Sequence, residues 1–429
     1  MGSMFCMSKK LKIAFYCPEI NNVYGGAYTF VESLIYEITN LNNDNFDIYI
    51  VTNKDIVFPP HIKSIKLFEI HDDKSKKKSI LKSILRKIVI KIFPELTHFN
   101  SKLTEIENLI NYRNDYNNKI NTLLEKNSID LIWFLTPEYI PVSIPFVVTV
   151  WDLAHRIYPF FPEVHYTGWT WEARENFYKT VLPKASFIIT GTEEGKKQIE
   201  KFYNIHSDRI RVISFPTPNF EKKSENNSII STLNIKSKYL FYPAQFWPHK
   251  NHVVILKAIE ILKKNYDMDF DVIFTGSDKG NFSYIKNIVR EMNMEKKVHF
   301  PGFLSIESIV ELYKNAFALV FPSFFGPDNI PPLEAFSLGC PVISSNIDGS
   351  IDQLEDAALF FNPIDEQELS KKIYNLATDS KLRNDMIKKG YDIAAKRTSK
   401  NYIEKMSEII NLFEKYKRCW SNEEKYVHL

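Results

Sequence analysis

Short apolar runs bounded by turn residues recur along this chain, with stretches of helical periodicity between them. They fall at 11–17, 46–52, 130–135, 145–150, 187–190 and 210–214, and again at 239–242, 271–275, 298–301, 317–321, 341–344 and 359–361. Short runs that are mostly apolar suit strands buried on both faces. Their alternation with helices makes the sheet mostly parallel, so the fold class is α/β. At 429 residues the chain is long enough for two such units. The polar, proline-marked stretch 216–237 (PTPNFEKKSENNSIISTLNIKS) lies between the two groups of runs and reads as a linker. This sets the expected domains at 1–215 and 238–398, with a terminal segment at 399–429. In that segment Ile403, Met406, Ile409, Ile410 and Phe413 follow helical spacing.

Composition excludes several classes. A formal charge of +3 over the whole chain is too small to argue for a nucleic-acid partner. Cys6, Cys17, Cys340 and Cys419 are scattered without paired metal spacing, so the chain reads as reduced and cytoplasmic, with no metal centre and no cofactor. No run of apolar residues is long enough to span a bilayer, and no secretory leader opens the sequence. Asp267-Met268-Asp269 has the spacing of a cation-binding acidic pair, but it precedes a strand, away from the expected crevice.

Open α/β sheets bind ligands beyond the carboxyl ends of their strands, so those segments carry the chemistry. The richest is PSFFGPDNIPPLEAFSLGCP, 322–341. Here a strand end runs into a glycine turn, and two prolines then suit the first turn of a helix. Glu334 is expected in that first turn, held ionised by the helix dipole and able to accept hydroxyl donors. The N–H groups of Phe325, Gly326, Asp328, Asn329 and Ile330 are candidates for phosphate oxygens. After 239–242 comes PAQFWPHKNH, where Lys250 at a helix start suits a diphosphate. TGSDKG brings Gly276 and Gly280, and PGFLS brings Gly302 and Phe303, to the same edge. In the first half, Gly25 and Gly26 precede a helical run and allow close backbone approach. WDLAH supplies Asp152, expected to bond its own backbone, and His155, a candidate donor to a hydroxyl.

The 322–341 segment resembles the signature of glycosyltransferase family 4, which comprises retaining enzymes of GT-B fold. The family's usual form is a glutamate, seven residues, then Glu-Ala at a helix start; Glu334 and Ala335 match the second half, and Gly326 stands where the first glutamate would be. The resemblance implies two Rossmann-like domains facing a cleft, with 1–215 binding acceptor, 238–398 binding a nucleotide sugar, and the terminal helix crossing back to the first domain. It implies a metal-independent hexosyltransferase. Lys250 would stabilise the leaving diphosphate, Glu334 would hold ribose hydroxyls, and the loop 326–330 would meet phosphate and sugar. His155 would contact the sugar, Gly25 and Gly26 would face donor and acceptor, and Gly276, Gly302 and Phe303 would line the nucleotide. Gln245 stands where many members have an arginine, and so replaces one cation of the expected pair.

The expected reaction moves a hexose, with mannose among the candidates, from a nucleotide-diphosphate sugar to a glycan or lipid-linked glycan, as in bacterial surface polysaccharide assembly. Three alternatives stay open: a catalytically reduced nucleotide- or glycan-binding protein of this fold, a nucleotide-sugar epimerase, and a membrane-surface scaffold. The scaffold reading rests on 74–92. Eight Lys or Arg there share a stretch with Ile80, Leu81, Ile84, Leu85, Ile88 and Ile92 at helical spacing. Such a helix either packs on its domain or lies on the inner face of an anionic membrane. Tyr139, Trp169 and Trp171 are read as core aromatics, with stacking on an acceptor sugar as the alternative.

Overall fold

The computed structural model describes residues 10–17, 26–41, 46–52, 58–66, 116–165, 169–220, 228–235 and 237–420. Gly25, Cys6 and the basic stretch 74–92 lie outside the described residues.

The apolar runs form two sheets. The first contains β1 (Leu11–Cys17), β2 (Phe46–Thr52), β3 (Ile62–Lys66), β4 (Leu131–Phe134), β5 (Phe146–Thr149), β6 (Phe187–Thr190) and β7 (Ile210–Val212) in the order β3-β2-β1-β4-β5-β6-β7. β1 pairs parallel with β2 from Leu11↔Phe46 to Cys17↔Thr52, and with β4 on its other side. Its residues are buried almost without interruption, the signature of a central parallel strand. β3 was not expected: IKSIK offers only Ile62 and Ile65 to the core, which suffices for an edge strand.

The second sheet contains β8 (Tyr239–Pro243), β9 (Asp271–Thr275), β10 (Val298–Gly302), β11 (Ala318–Phe321), β12 (Val342–Ser345) and β13 (Ala358–Phe361), ordered β10-β9-β8-β11-β12-β13. All its pairings are parallel. The chain moves outward from β8 to β9 and β10, then returns to place β11 on the other side of β8. The crevice between the carboxyl ends of β8 and β11 is therefore a topological switch point, where such sheets take ligands.

The chain divides into two compact units: Met1–Glu19, Asn42–Val147 and Arg418–Leu429, and Ile20–Leu41 with Val148–Lys417. The division falls inside β5, so the second unit holds β6, β7 and the whole second sheet. The first unit has its own aromatic core, in which Tyr139 packs on Phe134 and Phe146 with centroids 5.3 and 5.0 Å apart. The segment expected as a linker lies within the second unit, and its described part includes a one-turn helix, Ile229–Thr232, capped by Ser228. In the same unit the terminal helix Ser399–Lys417 returns to helix Gly26–Asn40, where Tyr402 meets Phe30 at 5.7 Å.

Candidate active site

Lys250 sits at the switch point. It does not open the following helix, as its sequence context suggested, but ends a 3-10 turn, Pro248–Lys250. Asn251 at φ +56° separates that turn from helix His252–Tyr266. The Lys250 carbonyl accepts from the Tyr242 hydroxyl at 2.9 Å, tying the turn to β8. Its Nζ lies 3.4 Å from Ser323 Oγ and 5.2 Å from the centre of the Phe321 ring, at the end of β11. Burial lowers the Lys250 ammonium to about 8, with the Asp152 and Glu163 carboxylates pulling the other way. A half-buried cation fixed between two strand ends is suited to meet an anion.

The loop after β11 is built by backbone strain and side-chain ties. Gly326 takes φ +115°, and a Cβ there would come within 2.5 Å of Asn329 Oδ1. Gly349, at φ +87°, packs against Pro327, whose carbonyl oxygen would lie 2.6 Å from an added Cβ. The Asn329 N–H, expected to be free for phosphate, donates instead to Gln353 Oε1 at 3.0 Å. Asp328 is buried and fully engaged: Oδ2 accepts from the Phe215 N–H at 2.7 Å, and Oδ1 accepts from Gln353 at 2.6 Å and faces Arg397 at 3.5 Å. Burial raises its carboxyl to about 7, against Arg397 and the Phe215 N–H. Asp328 thus clamps the loop and does not stand in for the glutamate missing at Gly326. Ile330 is buried and opens helix Ile330–Ser337.

Asn329 caps that helix, so Glu334 is its fifth residue and lies past the first turn, where the helix N-terminus has little hold on it. Burial raises its carboxyl to about 7, and the Tyr313 hydroxyl, donating to Oε2 at 2.7 Å, offsets only part of that. The expectation of a carboxylate held ionised by the helix is corrected accordingly. Glu334 is a half-buried acid that titrates near neutrality.

His155 is also corrected. The short helix Ala154–Ile157 turns it inward, and it is completely buried. Nε2 lies 3.3 Å from Glu175 Oε2 and 3.2 Å from the Tyr203 hydroxyl, and the ring stacks on Tyr178. Burial lowers its pKa, and Glu175 compensates only in part. A side chain with no accessible surface does not reach a sugar. Asp152 behaves as expected, with Oδ1 accepting from the Ala154 N–H at 3.0 Å. Trp171 donates to the His155 carbonyl, and Trp169 packs on Phe177 and Arg174.

The remaining candidates lie around the rim. Gln245 accepts from Trp247 Nε1 at 3.0 Å. Gly276 lies against Ala244 so closely that a Cβ would meet its carbonyl at 2.4 Å. Gly302 and Phe303 are exposed, the phenylalanine by 73%. Gly26 begins its helix. An open, shallow cleft is lined by residues including Asp152, Tyr158, Gln198, Phe325, Gly326 and Asp348. Sequence reasoning missed Tyr313, Ser323, Gln353 and Glu163. Ser323 was legible as the second residue past an apolar run; the others are joined to the site only by folding. Among the described residues no group of three His, Cys, Asp or Glu side chains is placed to hold a metal ion. The Asp267 and Asp269 carboxylates are each paired with a lysine, Lys263 and Lys297. No described helix is long and apolar enough to cross a membrane.

Residues 223–393, which include Lys250, the 326–330 loop and Glu334, match the family model for glycosyl transferases group 1. That segment, 171 of the chain's 429 residues, is similar to the group 1 glycosyl transferases. The likeness to known proteins extends beyond that segment. O-antigen chain mannosyltransferase RfbU of Salmonella typhimurium is 27% identical over 285 residues, 66% of this chain and 75% of that protein. O-antigen chain mannosyltransferase B of Escherichia coli is 25% identical over 47% of this chain, which spans about half the length of that relative, 54%. Among solved structures, a sucrose-phosphate synthase from Thermosynechococcus elongatus superposes with a TM-score of 0.67 at 15% identity, over 95% of this chain and 100% of that one. WaaG, a glycosyltransferase involved in lipopolysaccharide biosynthesis, does so with a TM-score of 0.61 at 15% identity, over 93% and 99%. The fold is thus the two-sheet GT-B class.

Proposed function

We propose that this protein is a retaining glycosyltransferase that moves a hexose, with mannose first among candidates, from a nucleotide-diphosphate sugar to a glycan or lipid-linked glycan acceptor. The observation that carries the reading is Lys250, a half-buried cation held between the ends of β8 and β11 beside Ser323. Breaking the glycosidic bond to the donor leaves a nucleoside diphosphate, and Lys250 stabilises that charge. Glu334, oriented by the Tyr313 hydroxyl, receives ribose hydroxyls. The mannosyltransferase names of the relatives support the sugar and the setting in surface polysaccharide assembly. Retention and metal independence follow the family resemblance.

Thermal stability against UDP, GDP, dTDP, CDP and ADP, with and without EDTA, tests the reading, because selective binding to the native state raises apparent stability. One nucleotide that stabilises regardless of EDTA supports it and names the donor base; no shift with any of them contradicts it.

A second reading has its own observation. Gly326 carries no carboxylate and Asp328 is tied away from the cleft, so a protein that binds nucleotide without turnover also fits. Nucleotide binding without sugar transfer or donor hydrolysis, across the sugars of the stabilising nucleotide, favours this second reading. The basic stretch 74–92 is proposed to bring the enzyme to an anionic membrane surface, and co-sedimentation with anionic but not neutral vesicles tests that placement.

A further inference from the structure

Glu163 lies in the one-turn helix Pro162–His165, 86 residues before His249, and is buried. Its Oε1 accepts from both the backbone N–H of His249, at 3.1 Å, and the ring Nδ1 of the same residue. A carboxylate gripping one residue at two points fixes both its backbone and its side chain. His249 is in turn the hub of the loop after β11. Its carbonyl accepts from the Phe324 N–H at 3.0 Å, and its ring lies flat on Phe325 at 3.9 Å with the planes 17° apart. Phe161, two residues before Glu163, packs against His249, Phe324 and Phe325.

We propose that Glu163 is a positioning residue for the glycosyl transfer, acting through His249 to set Lys250 and the 324–325 loop in register while its charge supports the ammonium of that lysine. The proposal rests on the reading of Lys250 as the diphosphate group. Lysine has a flexible stem, and its cation is preorganised only if its backbone is fixed. Tyr242 fixes the carbonyl of Lys250, and Glu163 fixes the residue immediately before it. A buried carboxylate is costly unless paired, and Glu163 offsets that cost through its two bonds to His249. Burial pushes the Glu163 carboxyl up, but the His249 bond outweighs it and holds the acid below its ordinary value. Burial lowers His249 to about 4, so the pair at neutral pH is a carboxylate accepting from a neutral Nδ1–H imidazole. Glu163 thereby adds negative charge to the surroundings of Lys250. The titratable and charged groups that act on or feel that lysine are Asp152 after β5, Glu163 on its own helix, and His249 and His252 on either side of it.

The test compares the full-length wild type with Glu163→Gln and Glu163→Ala in the transfer assay as a function of pH, alongside nucleoside diphosphate titrations. Glutamine keeps an acceptor oxygen but removes the charge. Its alkaline limb of kcat/KM is expected to move to lower pH by about one unit, because Lys250 loses a neighbouring carboxylate. Alanine also removes the grip, and kcat is expected to fall by about 100-fold, the order of loss from a misplaced group. A Glu163→Gln profile that superposes on the wild type overturns the proposal, even if the variant melts lower, since a merely structural role moves stability alone. If Glu163→Ala does not fold, the glutamine variant decides alone. Failure of the wild type to bind any nucleoside diphosphate overturns the parent reading and this proposal with it. Wild-type binding and transfer with an unmoved Glu163→Gln limb overturns only the role of Glu163.

Discussion

The Tyr313 hydroxyl donates to Glu334 Oε2 at 2.7 Å, joining helix Ile306–Asn315 to the acid of the signature segment. Burial keeps the tyrosine hydroxyl protonated far above its ordinary range, so it is a permanent donor. Burial raises Glu334 to about 7, and Tyr313 provides the opposing pull. A carboxyl raised in the folded state favours folding below its ordinary value of 4.5, and that contribution is lost as pH rises through about 7. Tyr313→Phe removes the donor and raises the acid further. The variant is expected to be less stable than wild type by about 1–2 kcal/mol at pH 8, with a smaller gap at pH 5. Urea unfolding at the two pH values checks it.

The pH dependence of nucleotide binding follows from Lys250. Its ammonium, lowered to about 8 by burial, is the charge offered to the diphosphate. Affinity should weaken as pH rises through 8, approaching tenfold per unit once the lysine is mostly neutral. Lys250→Arg keeps the charge at every working pH and should flatten that limb. Calorimetric titration between pH 7 and 10 reads both.

Gly349 marks where the loop after β12 presses on the signature segment. Alanine there needs φ +87° and brings a Cβ within 2.6 Å of the Pro327 carbonyl. Gly349→Ala should cost about 1–3 kcal/mol, because the backbone is strained and Pro327 must move. Chemical unfolding measures the cost, and a displaced 324–329 loop should also weaken nucleotide binding.

His155 belongs to the core of its unit. Truncation to alanine empties the space against Tyr178 and removes a partner from buried Glu175, with an expected loss of about 2–4 kcal/mol at pH 7. Because burial lowers the His155 pKa in the folded state, the wild-type residue opposes folding as pH falls through the ordinary histidine value of 6.5. The gap between variant and wild type should therefore narrow towards pH 5 in the same unfolding experiment.

The strands of both sheets were legible because they are mostly apolar and short, except edge strand β3, where Ile62 and Ile65 alone meet the core. The switch point followed from the strand ends, and Lys250 was readable as the cation there. What local sequence did not carry was rotation and long-range pairing. The prolines at 331 and 332 suggested the first turn, yet Asn329 caps the helix and puts Glu334 one turn too deep for the dipole. A strand-end position suggested an exposed His155, but a single helical turn rotates it inward. Glu163 is one acid after a proline until folding brings His249, 86 residues away, onto it. The partners of the Asp328 carboxylate, Phe215, Gln353 and Arg397, all come from other elements, so its clamping of the loop was not legible.

The most direct measurement is calorimetric titration of wild type and Lys250→Ala, at pH 7, with the stabilising nucleoside diphosphate and its monophosphate. If Lys250 is the diphosphate group, the variant loses about 100-fold in affinity for the diphosphate, or about 2.7 kcal/mol, and keeps its affinity for the monophosphate within a few-fold. Equal diphosphate affinity in variant and wild type would contradict the account.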